Sequence, residues 1–407
     1  MLALRLVRGA HPLVQLRRLL VAAASAGVGF LLLCTLGYAA GHPDPGNARA
    51  SGLRLLWCLV PLAAVVYFAV AVARTDPSTR PRPGLSAVGL GPARLTAIAA
   101  ASTAVSCTLG STIALAVFLH LRGDITGLPF DGAAADLLGA RAPLPLAAAL
   151  TLLAVLPLSA AVASGLALRP RRTKPDGRPR PDDHPGPDGR PDDRTGDDQA
   201  PAAPAPAPAG LPWGVALTAA GLAVEAYAAR GGGGSPLPMP GRFEGSTLGV
   251  LCGWTLTALG LALAGPGIAY GCGKLLQAVR PGAVRLLAGR ALQEEARRIG
   301  RPLGVLCAVA SGVIAALTLY GGEGARPFGP LTGLGGALVL GCAVATLLTA
   351  ALESKHARAG TTDALLRLGA PAATLRAAGG LRAAALLLVF GPLTAGVAHL
   401  AALPLTT

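Results

Sequence analysis

Residues 331–352 read "LTGLGGALVLGCAVATLLTAAL", a run of 22 positions without one charged side chain. A helix of that length rises about 30 Å, enough to cross the hydrocarbon core of a bilayer. Such a segment satisfies its own backbone in lipid by coiling, whereas an outer-membrane barrel would need short alternating strands, which the sequence lacks. Comparable runs lie near 19–40, 55–73, 95–119, 145–168, 211–229, 247–272, 303–321 and 377–405. The expected fold is therefore all-α: a polytopic helical membrane protein with about nine crossings. The fifth run is the weakest of these, because Gly221 and Glu225 interrupt it.

Composition agrees with that reading. Of 407 residues 52% are hydrophobic and 14% charged, and the mean hydropathy is +0.56, more apolar surface than a soluble core of this length could hide. The net charge of +15 is a matter of topology. Segments 1–18, 74–94, 169–210, 273–301 and 353–382 hold 28 of the 35 Lys and Arg, and the alternate loops hold only Arg49, Arg54, Arg122, Arg141, Arg230, Arg242 and Arg326. The positive-inside rule then puts the amino terminus and those five segments in the cytoplasm, and nine crossings leave the carboxyl terminus outside. Nucleic acid is not an expected partner, because the basic segments carry no interleaved aromatic residues for stacking.

The amino-terminal run is expected to stay as a membrane helix. Arg5, Arg8, Arg17 and Arg18 precede it as they would a signal peptide, but "LLLC" ending at Cys34 has Leu where lipoprotein cleavage needs a small residue. The seven cysteines, 34, 58, 107, 252, 272, 307 and 342, fall inside crossings without metal-ligand spacing and read as small apolar residues. Residues 169–210 break the apolar pattern with proline, glycine and eight aspartates against eight basic residues. They read as a disordered polyampholyte linker between two membrane halves.

The connector after residue 352 contains "LLRLGAPAATL" (365–375), and "LSAVGLGPARL" (85–95) echoes it: Leu365, Gly369, Ala373 and Leu375 fall on Leu85, Gly89, Ala93 and Leu95. With the same displacement along the chain, Ala3, Arg5, Leu6, Gly9, Arg17 and Arg18 fall on Ala283, Arg285, Leu286, Gly289, Arg297 and Arg298. A shared offset in two places predicts a duplication. Six crossings separate the unit starts, so the two repeat units are parallel rather than inverted. In 283–301 the polar positions Arg290, Gln293, Glu294, Arg297, Arg298 and Arg301 share one face and Val284, Leu287, Ala288, Ala291 and Leu292 the other. That pattern predicts an amphipathic helix lying in the membrane interface, with Arg285, Arg290, Arg297 and Arg298 toward anionic lipid, or else an ordinary solvated helix.

No catalytic, cofactor or metal site can be assembled. Glu225 is the one ionisable residue inside a crossing, near the outer end of its helix, and His120 and His399 lie at outer edges, where satisfied interfacial histidines are common. "GCGK" (271–274) is not a phosphate loop, because Leu275 follows Lys274 and Ile268 stands where the first glycine belongs. Gly267 and Gly271 read instead as helix-packing positions. Any ATPase activity would belong to a separate subunit.

The unit as a whole (basic amphipathic start, crossing, outer loop, crossing, connector of the form L-x-x-L-G-A-x-x-x-x-L, crossing) resembles the FtsX-like, MacB-type permease domain of ABC transporters. The copy "DALLRLGAPAATLRAAGGLRAAALLL" from Asp363 is the closer match. The resemblance implies two permease units in one chain: 1–121, followed by outer loop and fourth crossing over 122–168, and 273–407. The linker 169–210 and crossings five and six (211–272) lie between them. It also implies that each connector is a coupling helix seated on an ABC-type ATPase, two copies in all. By position the role falls on Leu85, Gly89, Ala93 and Leu95, and on Leu365, Leu368, Gly369, Ala370 and Leu375. Leucines at helical spacing would enter a groove on the partner and glycine would let the backbone approach; the same "RLGAP" also reads as plain helix-end punctuation. The implied setting is a bacterial inner membrane and a hydrophobic or amphipathic substrate. The longest outer segment, 120–144, leaves no room for a large extracellular domain. A carrier independent of ATP and a structural scaffold remain the alternatives.

Overall fold

The computed structural model describes residues 12–42, 45–75, 92–125, 129, 132–136, 138–140, 142–169, 208–230, 247–278, 282–320 and 329–406. Among these the regular elements are ten helices and no strand. They are α1 (Pro12–Gly41), α2 (Pro45–Thr75), α3 (Pro92–Arg122), α4 (Leu146–Leu168), α5 (Leu211–Arg230), α6 (Thr247–Ala278), α7 (Ala283–Tyr320), α8 (Pro330–Ala357), α9 (Ala359–Arg367) and α10 (Ala372–Thr406). All except α9 are long and apolar enough to cross a membrane, at the nine places expected. The chain is a multi-pass, all-α membrane protein. The linker 169–210 lies outside the described residues apart from its two ends.

Two trios of helices share one plan. In the first, α1 packs on α3 and α2; in the second, α7 packs on α10 and α8. The offset that relates the sequence echoes also relates the geometry. Pro92 and Ala372, equivalent under it, are the first residues of α3 and α10. A Cβ at Gly29 of α1 would lie 2.9 Å from Ala114 of α3. The equivalents of Gly29 and Ala114 in the second trio are Val309 and Thr394. Around Val309, Ser311 Oγ donates to the Thr394 carbonyl at 3.0 Å and Thr394 Oγ1 lies 3.1 Å from Cys307 Sγ. The trios meet where α2 packs on α8. Gly27 of α1 abuts Leu338 of α8 while Leu31 abuts Gly335, so α8 runs against α1 and along α2. Equivalent helices thus point the same way, as six intervening crossings require.

Helices α5 and α6 buttress the second trio through glycine seams. Along α5 and α6, Gly214 meets Ala264, Thr218 meets Gly260, Gly221 meets Thr257 and Glu225 meets Gly253, with the glycine alternating between partners. Steps of three and four keep these levels on one stripe of each helix. Between α6 and α7, Gly265 crosses Gly300, Gly304 abuts Leu261, and Gly273 abuts Gly289. In lipid, where exclusion of water does not drive helices together, close backbone approach maximises dispersion contact. Gly267 does meet Leu211 of α5, but Gly271 has open space beside it.

The 38 residues of α7 give it a length of about 57 Å, far beyond the ~30 Å of hydrocarbon. Residues 283–301 make up the first half of this one long helix. They continue into the crossing, with Pro302 inside the helix, and one side is sealed against α6. Of the apolar face read from the sequence, Ala288 and Leu292 are buried and Val284, Leu287 and Ala291 are half-buried. On the side where α1 ends, the loop after α3 folds back as a small cap. Leu138 is buried there with Leu33 and Phe118, and the buried Arg122 donates to the Ala142 carbonyl and pairs with Asp124 at 3.4 Å.

Candidate functional site

The second connector leaves α8 at Arg358, a single residue that caps α8 and starts α9, with φ −95° and ψ −2°. The nine residues of α9 end in a Schellman motif. The Gly369 N–H donates to the Leu366 carbonyl and the Ala370 N–H to the Leu365 carbonyl, each at 3.0 Å. That arrangement needs a left-handed residue after the cap, and Gly369 has φ +88°. Nothing lies within 4 Å of where its Cβ would be. Gly369 is thus required by the helix end itself. Pro371 follows and α10 begins at Ala372.

No residue of α9 is buried. Leu366 is uncovered, Leu368 is 84% exposed, and Leu365, Ala370 and Leu375 are half-buried. Among the described residues, the helix that α9 touches closely is α8. The short helix stands off the bundle, with two leucines uncovered between the second and third crossings of its trio. Of the matching positions in the first connector, Leu85 and Gly89 lie outside the described residues. Ala93 is exposed and Leu95 buried in the first turn of α3, on the same side of the bundle as the start of α10. Of the basic residues on α7, Arg290, Arg297 and Arg298 are exposed and Arg285 half-buried.

A cluster not foreseen from the sequence holds this connector. Glu295 of α7 is 7% exposed. Its Oε1 pairs with Arg358 Nε at the α8–α9 junction, and its Oε2 lies 3.5 Å from Arg382 Nη1 of α10. Arg358 also reaches back to Ser354, with Nη2 3.4 Å from the Oγ and Nε 3.4 Å from the carbonyl. The ion-pair geometry is not ideal hydrogen-bond geometry: Glu295 Oε1 and Arg382 Nη1 complete no hydrogen bond. The attraction here is therefore chiefly charge on charge at short range, strengthened by burial. A signal for this cluster was present in the sequence. Glu295 continues the apolar stripe Ala288–Leu292 at a step of three, an acid where the pattern calls for a hydrophobe.

The remaining titratable groups resolve differently. His120 is satisfied by the loop, with Nε2 3.0 Å from the Pro129 carbonyl and Nδ1 3.4 Å from that of Ile125. Six cysteines are buried and Cys252 is exposed, all as free thiols. Glu225 is buried at the α5–α6 seam, where Trp254 Nε1 donates to its Oε1 while Oε2 and the nearby Thr257 Oγ1 lack partners. Compared with family models, with curated proteins and with solved structures, the chain matches none.

Proposed function

We propose that this chain is the membrane-spanning permease subunit of an ABC-type transporter or mechanotransmission complex in a bacterial cell membrane, with its amino terminus in the cytoplasm. The observation that carries the reading is α9: a short helix on the basic side of the bundle, standing clear of it, with Leu366 and Leu368 uncovered. A partner ATPase, two copies to serve two connectors, would grip such helices and move the crossings on either side. A hydrophobic or amphipathic substrate suits the apolar outer surfaces of the trios.

The test is purification of the full chain from its host membranes under mild detergent, with identification of bound nucleotide-binding subunits. Co-purification that is lost in Leu366→Glu/Leu368→Glu, with the variant still folded and inserted, supports the proposal. A chain that carries no ATPase, or whose ATPase is indifferent to those changes, refutes it. One observation favours a second reading. Glu225, buried in a crossing with an unpartnered oxygen, is the kind of residue an ion-driven carrier uses. Transport in vesicles that persists without ATP and stops in Glu225→Gln would select that reading.

A further inference from the structure

We infer that Glu295, Arg358 and Arg382 form a latch that fixes the second connector. The latch spans three elements. Glu295 belongs to α7, Arg382 to α10, and Arg358 is the one residue between α8 and α9. Because α9 buries none of its own side chains, the junction at Arg358 is where its direction is set. The tie through Ser354, itself buried, includes the last turn of α8. A load on α9, which the chain itself passes to α8 and α10, is therefore delivered through one carboxylate to the first crossing of the trio as well.

The first trio is built differently at the corresponding positions. Under the repeat offset, Glu295, Arg358 and Arg382 fall on Gln15, Ser78 and Ser102, and none of the three carries charge. Ser78 lies outside the described residues. The start of α1 and the end of α2 are joined by a hydrogen bond from Arg17 to Thr75 Oγ1 at 3.1 Å. At these positions the second trio has charged side chains where the first has neutral ones. Removing the carboxylate would also leave two guanidinium groups, 29% and 19% exposed, facing each other without compensation. Because this inference concerns the chain's own rigidity, it holds whether or not an ATPase supplies the load.

Hydrogen exchange of the full chain in lipid nanodiscs tests it, read peptide by peptide. Glu295→Gln is expected to speed exchange across residues 355–370 at least tenfold, with α5 and α6 changed less than twofold. Arg358→Gln should do the same, and the double variant should open the connector no further than either alone. Such non-additivity marks a shared pair and would not arise from two separate structural roles. An unchanged 355–370 in Glu295→Gln, or additive effects in the double variant, would each overturn the inference. Should Glu295→Gln fail to accumulate, Arg382→Gln removes only the longer of the two contacts; an unaltered connector there overturns it as well.

Discussion

Gly300 and Gly341 are both helical glycines, and replacing each with alanine is expected to move stability in opposite directions. In a helix interior the change from glycine to alanine by itself favours the helix by about 1 kcal/mol, because the unfolded chain loses conformational freedom. At Gly341 of α8 nothing lies within 4 Å of the new Cβ, so that gain of ~1 kcal/mol stands alone. At Gly300 the Cβ would fall inside contact distance of Pro266 and Gly265 backbone atoms. Backbone cannot step aside by changing a rotamer, so the penalty belongs in the upper part of the ~1–3 kcal/mol range for overpacking. The net expectation at Gly300 is a loss of about 1–2 kcal/mol, roughly a tenfold shift in the unfolding equilibrium. Reversible unfolding of detergent-solubilised protein by SDS, followed by circular dichroism, measures both variants against the parent. If Gly300→Ala proves as stable as Gly341→Ala, the α6–α7 helices do not cross at Gly265 and Gly300, and the buttress described above is wrong.

Gly369→Ala places a Cβ on a residue at φ +88° and should cost about 1 kcal/mol or more, confined to the end of α9; faster tryptic cleavage after Arg367, with the unfolding midpoint nearly unchanged, is the expected result. At the α5–α6 seam, Trp254→Phe removes the donor to Glu225 and should destabilise by ~1–3 kcal/mol, whereas Glu225→Gln keeps an oxygen for the same indole and should cost less; SDS unfolding of the two variants gives the order directly.

All nine crossings were legible because each is a run of apolar residues long enough to span a bilayer, a signal that needs no neighbour to be read. The parallel orientation of the trios followed from counting crossings, and the packing register under the repeat offset agrees with it. What escaped the sequence depends on partners far along the chain. Residues 283–301 carry a clean amphipathic pattern, yet a pattern of polarity cannot say which helix packs beside them. Here it is α6, where Gly265 and Gly273, lacking side chains, admit α7 at close range. Gly369 was readable in either of two ways, and the positive φ assigns it to the helix end. Glu295 was visible as an oddity on an apolar stripe, but Arg358 and Arg382 are separated from it by an entire crossing and its connector.

The glycine seam and the latch are linked by the geometry of a single helix. Successive residues of an α-helix are turned by about 100°, so Glu295 and Gly300, five positions apart, point about 140° away from each other. With Gly300 turned into α6, Glu295 is directed toward α8 and α10, where Arg358 and Arg382 meet it. The stretch Glu295–Gly300 of α7 therefore serves two neighbours at once, and its rotation about its own axis is fixed from both sides. A helix held by the seam alone could still rock, and one held by the latch alone could still turn. The first trio has no charged residues at the latch positions, and α4 packs on its α3 and α2. With the latch closed, a force arriving at α9 passes into α6, α7, α8 and α10 together instead of bending the one helix it touches.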